Sequence, residues 1–255
     1  MHRFGRLGAL TAGVTLAVAL AGVCAGPALA GPVAPQTLAR PETSSPSPIT
    51  SGYAAVPPSG SAMTFTHVQD AFTVPTVNCT SVPNGTAQMR AGLDGVNNAT
   101  IERVGLSETC TGGAASYSTW YQMYPAAAVT EFSPKPGDAL NYSITFAANA
   151  YTLSIKDLTS GENFTVTRLC AATCQNASAQ VMAGTPAAGV PPANFTAVNY
   201  GAIIVTNSAG VSGGLSNAAW NTVMFTQTGS PNTVAGPLLT SGTPPQSAFQ
   251  DTWNA

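Results

Sequence analysis

The sequence predicts an all-β protein built as a two-sheet antiparallel β-sandwich. Three observations carry that prediction. Short stretches of alternating apolar and polar residues recur between turn signals, and no window of helical length holds an apolar stripe at a spacing of 3.6. In addition, 25 Gly and 20 Pro punctuate the 255 residues. Hydrophobic residues make up 44% of the chain and charged ones 7%. That is enough apolar content to bury a core, and too little charge for coiled coils or long surface helices. The length suits one large β domain behind a leader.

Residues 1–30 read as a secretory signal. His2, Arg3 and Arg6 give a basic start, Leu7 to Val23 is a nearly unbroken apolar run, and Ala28-Leu29-Ala30 offers small residues for cleavage. The run barely reaches spanning length and no basic flank follows it, so export is expected, with no membrane partner after cleavage. Residues 31–50 are rich in Pro, Ser, Thr and Ala without periodicity and read as a flexible leader. The sandwich domain is assigned to 51–255. Within it, strands are expected at 63–77, 88–96, 100–105, 117–124, 139–147, 151–158, 163–169, 179–183, 194–205, 222–226 and 249–253. Pro136-Gly137-Asp138 and Thr159-Ser160-Gly161-Glu162 supply hairpin turns.

Four cysteines follow the signal: Cys79, Cys110, Cys170 and Cys174. An even number in an exported chain implies two disulfides, for which three pairings exist. The favoured pairing joins Cys79 to Cys110 across two strand ends and clips a short loop with Cys170–Cys174. Oxidised cysteines and a single remaining histidine, His67, exclude a zinc site, so neither metal nor cofactor is expected. His67 sits in the plain alternating stretch Thr64-Phe65-Thr66-His67-Val68 and reads as structural, which removes His-dependent nucleophilic catalysis. No phosphate loop or dinucleotide fingerprint follows any strand. Only Arg40, Arg90, Arg103, Lys135, Lys156 and Arg168 remain as cations after residue 30, too few for a nucleic-acid footprint.

Alternation sorts the candidate residues by face. In Gln88-Met89-Arg90-Ala91-Gly92-Leu93-Asp94, the even-numbered Arg90, Gly92 and Asp94 should share one side, with Met89, Ala91 and Leu93 on the other. A turn at Asn97-Asn98 would set Arg103 across from Gly92 and diagonal to Arg90 and Asp94. Two arginines and an aspartate would then form one patch, either a surface ion pair or a ligand-facing cluster.

Several motifs resemble the glutamic endopeptidase family, the eqolisins. They are Ala91-Gly92-Leu93-Asp94-Gly95, Thr100-Ile101-Glu102-Arg103-Val104-Gly105, and Tyr117 followed by Trp120-Tyr121-Gln122-Met123-Tyr124-Pro125. Val74-Pro75 with Cys79, the Pro136-Gly137-Asp138 turn, Ser178-Ala179-Gln180-Val181, Asn194-Phe195 and Gln250-Asp251-Thr252-Trp253 extend the similarity over roughly 50–255. The resemblance implies a concanavalin-like jelly roll with seven-stranded sheets. It also implies peptide hydrolysis at acid pH, with a Glu as general base and a Gln as its partner in holding the water and the oxyanion.

The chain departs from the family pattern where that chemistry resides. Arg103 stands at the family's Gln position and Gln180 at its Glu position. Arg90 replaces a Trp, Thr50 replaces another, and Gln122 replaces a Glu; Asp94 is retained. An amide has no useful basicity, and loss of a general base costs ~10²–10⁴ in rate. Arg103 can stabilise an oxyanion but cannot deprotonate water. Asp94 is the one replacement base on the expected face, and beside two arginines it would be a poor one.

The expected protein is therefore a secreted monomer on an eqolisin scaffold, catalytically degenerate, keeping at most a groove for an extended peptide or glycan. Arg90, Tyr117, Trp120, Tyr121, Gln122 and Tyr124 are the candidate groove residues. The competing expectation is an active acid endopeptidase with Arg103, Gln180 and Asp94 in a rearranged site; a third is an inert structural module.

Overall fold

In the computed structural model of the chain, the described residues are 37–39, 43–170, 174–241 and 246–255. The signal expected at 1–30 lies outside them. In chain order the strands are β1 (Thr37–Ala39), β2 (Thr43–Ser47), β3 (Thr50–Val56), β4 (Phe65–Thr73), β5 (Gly85–Asp94) and β6 (Ile101–Thr111). Next come β7 (Ala114–Met123), β8 (Val129–Thr130), β9 (Ala139–Ala147), β10 (Ala150–Asp157), β11 (Asn163–Leu169) and β12 (Ala179–Gly184). The last are β13 (Val198–Asn207), β14 (Ser212–Gly213), β15 (Asn221–Gln227), β16 (Asn232–Ala235), β17 (Leu238–Ser241) and β18 (Gln246–Asn254). No helix occurs among the described residues.

The strands form two sheets. One has ten strands along the order β1-β17-β18-β13-β4-β9-β10-β11, with β14 on β13 and β16 on β18; the other runs β2-β15-β3-β12-β5-β6-β7-β8. The all-β sandwich expected from the sequence is thus the observed fold. The counts exceed seven per sheet, the surplus being short strands of two to five residues. Pairing is antiparallel except for β2, which runs parallel to β15. That strand lies inside the stretch read as a flexible leader, which therefore does not extend to residue 50. Thr43-Ser44-Ser45-Pro46-Ser47 has no alternation to reveal it, and Pro46 suits a sheet edge.

Period-2 alternation builds the core between the sheets. Ala87, Met89, Ala91 and Leu93 of β5, with Val104 and Leu106 of β6 and Val181 of β12, are fully buried; so are Leu140, Tyr142 and Ile144 of β9 and Leu153 and Ile155 of β10. Both disulfides expected from the sequence are present, Cys79–Cys110 and Cys170–Cys174.

The core also holds acids. Asp70 and Glu108 are fully buried and none of their carboxyl oxygens finds a hydrogen-bond partner among the described residues. Asp70 pairs directly with Tyr142, whose hydroxyl is likewise unpartnered. Burial pushes Asp70 up to about 8 and Glu108 well above the usual carboxylate range. Burial also raises Asp251 to about 7, against the Ser51 hydroxyl bond, and Glu102 to about 7, helped by the charge of Asp94. Burial thus favours the neutral form of each of these carboxyls.

Two predictions follow from burial and cross-linking. Carboxyls near 4 in the unfolded chain release protons that the folded chain keeps, so this stability is intact below about pH 4 and is lost as pH rises toward about 8, at about 1.4 kcal/mol per pKa unit. Melting temperature should therefore fall between pH 4 and 8 in a circular dichroism series, and Asp70→Asn should flatten that fall. Removing the Cys79–Cys110 bridge, with its separation of 31 residues, should cost about 3–4 kcal/mol in urea unfolding. Removing Cys170–Cys174, with a separation of 4, should cost about 2 kcal/mol.

Candidate functional site

The face of the eight-stranded sheet that points away from the core is built on Gly92. In the observed register Gly92 of β5 lies opposite Arg103 of β6 on one side and Gln180 of β12 on the other. Gln180 in turn faces Ala54 of β3, and Arg103 faces Gln122 of β7. Directly opposed residues share a face, so Gln122, Arg103, Gly92, Gln180 and Ala54 form one row across five strands. A Cβ at Gly92 would sit 3.5 Å from both the Arg103 Cβ and the Gln180 Cγ, so glycine leaves these two side chains adjacent over an open floor. The neighbouring row comprises Trp120, Gly105, Arg90, Met182 and Gly52.

These residues face outward yet are almost inaccessible: Arg90 is 5% exposed, Trp120 4%, Gln180 7% and Met182 3%. The face is recessed, as a groove requires. At its β15 end it opens into a depression of about 290 Å³ lined by Val96, Val223, Phe225 and Thr43–Ser45 of the leading strand.

Hydrogen bonds connect the positions that depart from the family pattern. Arg103 Nε donates to Gln122 Oε1 at 2.7 Å, and its guanidinium carbon lies 5.3 Å from the Trp120 ring centroid. Gln122 is itself held by its Nε2, which donates to the Ala126 carbonyl. Arg90 Nη2 donates to Thr50 Oγ1 at 2.6 Å, and Nη1 to Gln88 Oε1 and the Thr185 carbonyl. Gln180 Nε2 donates to the Asp94 backbone carbonyl at 2.5 Å. Burial first, then the neighbouring Arg103 charge, pulls Arg90 down to about 10, and burial lowers Arg103. Both guanidinium groups nonetheless remain cations at neutral and acid pH.

Four of the expected site residues, the candidate base Asp94 and the groove candidates Tyr117, Tyr121 and Tyr124, lie elsewhere. Asp94 has a left-handed φ of 68°, followed by Gly95 at 89°, and this twist takes its carboxylate out of the alternation. The carboxylate accepts the backbone amides of Asn176 at 2.7 Å and Ala177 at 2.6 Å, with Asn98 Nδ2 at 3.1 Å. Asp94 is thus fully buried as an anchor for the loop entering β12, not a member of the arginine patch. Tyr117 and Tyr121 are odd-numbered on β7 and face the core. The Tyr117 hydroxyl accepts the Val77 amide, and Tyr121 stacks on Phe164 at 5.4 Å and accepts from Arg168 Nη2. Tyr124 follows β7 and is exposed beside Val129 and Leu169 at the inter-sheet edge. Trp120, Gln122 and Arg90 stand on the outward face.

Among the described residues no other acid supplies the outward face. Glu102 and Glu108 share the core face with Tyr151 and Tyr142. Glu131 bonds backbone to backbone with Thr119, which continues the β7–β8 register and puts it on the face opposite Trp120. His67 on β4 lies 2.9 Å from Thr145 Oγ1 and 3.3 Å from Gln69 Oε1, within the other sheet. Among the described residues, no cluster of three His, Cys, Asp or Glu could hold a metal ion. The groove can donate hydrogen bonds and positive charge; among the described residues it presents no group that accepts a proton near neutral or acid pH.

Comparisons with known proteins agree with this architecture. The structure resembles scytalido-glutamic peptidase in complex with a transition-state analogue inhibitor (TM-score 0.64, 18% identity, covering 81% of this chain and 98% of that one). It resembles SCP-B, a member of the eqolisin family, in complex with the tripeptide Ala-Ile-His (TM-score 0.55, 16% identity, covering 81% and 100%). A third likeness is to aspergilloglutamic peptidase from Aspergillus niger (TM-score 0.50, 21% identity, covering 67% and 99%). Comparison with curated proteins gave no match. The family model described as the Peptidase A4 family matches residues 49–247. With most of the sequence and every strand of the recessed sheet except β2 accounted for in this way, the chain belongs to the Peptidase A4 family, the eqolisins.

Proposed function

We propose that this protein is an exported, non-hydrolytic eqolisin that binds an extended polymer, peptide or glycan, in the groove of its eight-stranded sheet. One observation carries the reading: Arg103 and Gln180 meet across Gly92, and no carboxyl group lies on that face among the described residues. A general base must reach the proton it takes. Asp94 is turned to the 176–177 amides, and Glu102 points to the other side of β6. The two disulfides support an oxidising, extracellular location.

The unmodified protein should leave denatured casein intact between pH 2 and 7, as read by release of soluble peptides. Clearance that disappears in Asp94→Asn would instead establish an acid endopeptidase with a rearranged base. Combining Arg103→Gln with Gln180→Glu should raise cleavage above the unmodified chain by ~10² or more, the scale of a restored general base.

A further inference from the structure

We propose that Arg103, backed by Arg90, makes this groove a receptor for a carboxylate carried on an extended peptide. The inference rests on the binding role proposed above and names the chemistry of the ligand.

The arginines are an unbalanced pair. Arg90 is almost fully buried, and its three hydrogen-bond acceptors are neutral oxygens: the Thr50 hydroxyl, the Gln88 amide and the Thr185 carbonyl. Arg103 spends Nε on Gln122, and its two terminal nitrogens make no hydrogen bond to the described residues. A guanidinium carries five N–H donors in a fixed fork that matches a carboxylate. Here the fork is oriented by Gln122 on one edge and by the Trp120 ring on one face, and Arg103 is only half-buried. Two like charges side by side in a recess cost stability unless an anion joins them. Trp120 Nε1, in the adjoining row, is likewise buried with no acceptor among the described residues. The feature is therefore a set of donors and positive charge with the acceptor missing.

The rest of the groove favours a peptide over a sugar. Beyond Gln180 the same face carries Ala54, Val96 and Met182 packed with Val56 and Phe225, a mainly aliphatic patch with a single aromatic ring rather than an aromatic platform. The one tryptophan in the row is covered by Arg103. Arg103 on β6 and Ala54 on β3 are separated by β5 and β12, hence by ~14 Å at the usual strand spacing. An extended peptide covers that distance in about four residues. An apolar side chain in the patch and a carboxylate at Arg103 can thus belong to one short segment.

Titration calorimetry on the full-length exported protein at pH 5.5, where peptide carboxylates are ionised, tests this. Three probes suffice: acetyl-Leu-Ala-Ala-Ala-Asp-amide, its Asn counterpart, and acetyl-Leu-Ala-Ala-Ala-Ala with a free C-terminus. At least one carboxylate peptide should bind tenfold or more tightly than the Asn amide, and which one does so distinguishes a side-chain from a terminal carboxylate. Arg103→Gln should erase the difference and Arg103→Lys should keep only part of it, both with an unchanged circular dichroism spectrum. Equal binding of all three peptides overturns the carboxylate inference and leaves the groove reading standing. Binding of neither the peptides nor oligogalacturonate overturns both, whereas Arg103-dependent binding of oligogalacturonate in place of the peptides overturns the peptide assignment and leaves the groove reading standing. Mass spectra of the recovered peptides separate the two levels again, since cleavage would sink the non-hydrolytic reading while the Arg103-dependent preference is still read as a ratio of KM values.

Discussion

The register of β12, β5 and β6 decides what the groove contains. Gly92 is the hinge of that register, facing Arg103 and Gln180 at once. Because side chains alternate strictly, sliding β6 by one residue would bring Glu102 to the groove and send Arg103 into the core, reversing the chemistry of the site. Three features hold the register against such a slip. Met89, Ala91 and Leu93 lock with Val104, Leu106 and Val181 on the core face. The Cys79–Cys110 bridge fixes the far end of β6, and the Asp94 carboxylate, gripping the 176–177 amides, fixes β5 to the start of β12. Asp94 is therefore a structural clamp.

The polar side chains of this face come as partners. Arg90 bonds to Thr50 at 2.6 Å and Arg103 to Gln122 at 2.7 Å, which spares these atoms the cost of about 1–3 kcal/mol that a buried, unmatched polar atom carries. The sheet has also been given an electrical polarity: cations on its outer side, acids held neutral on its inner side, in a chain whose formal net charge is only −2.

Much of this was legible in the sequence, and the exceptions have local causes. Alternation over 88–94 and 101–105 was sufficient to set Arg103 opposite Gly92, since a period of two admits no drift within a strand. It failed at Asp94 because a left-handed residue breaks the period, and the Asp-Gly pair was the available sign. Tyr117 and Tyr121 could have been separated from Trp120 and Gln122 by parity alone; their aromatic character argued for the groove, their position for the core. The leading strand gave no sign because its place is dictated by β15, which lies far away in sequence. Asp70 and Glu108 likewise read as ordinary strand residues, since what covers them is the opposite sheet.

The parallel strand at the edge has a consequence for the maturation of the chain. Thr43–Ser47 occupies the hydrogen-bonding side of Val223–Gln227, and Pro46 brings no amide hydrogen for a further neighbour. Proteolytic trimming that stops ahead of Thr43 leaves this cover in place. Trimming past Ser47 would bare an open ladder beside Val223 and Phe225, onto which another strand can add. The position of one cut thus decides whether this edge of the sheet is covered or open to pairing.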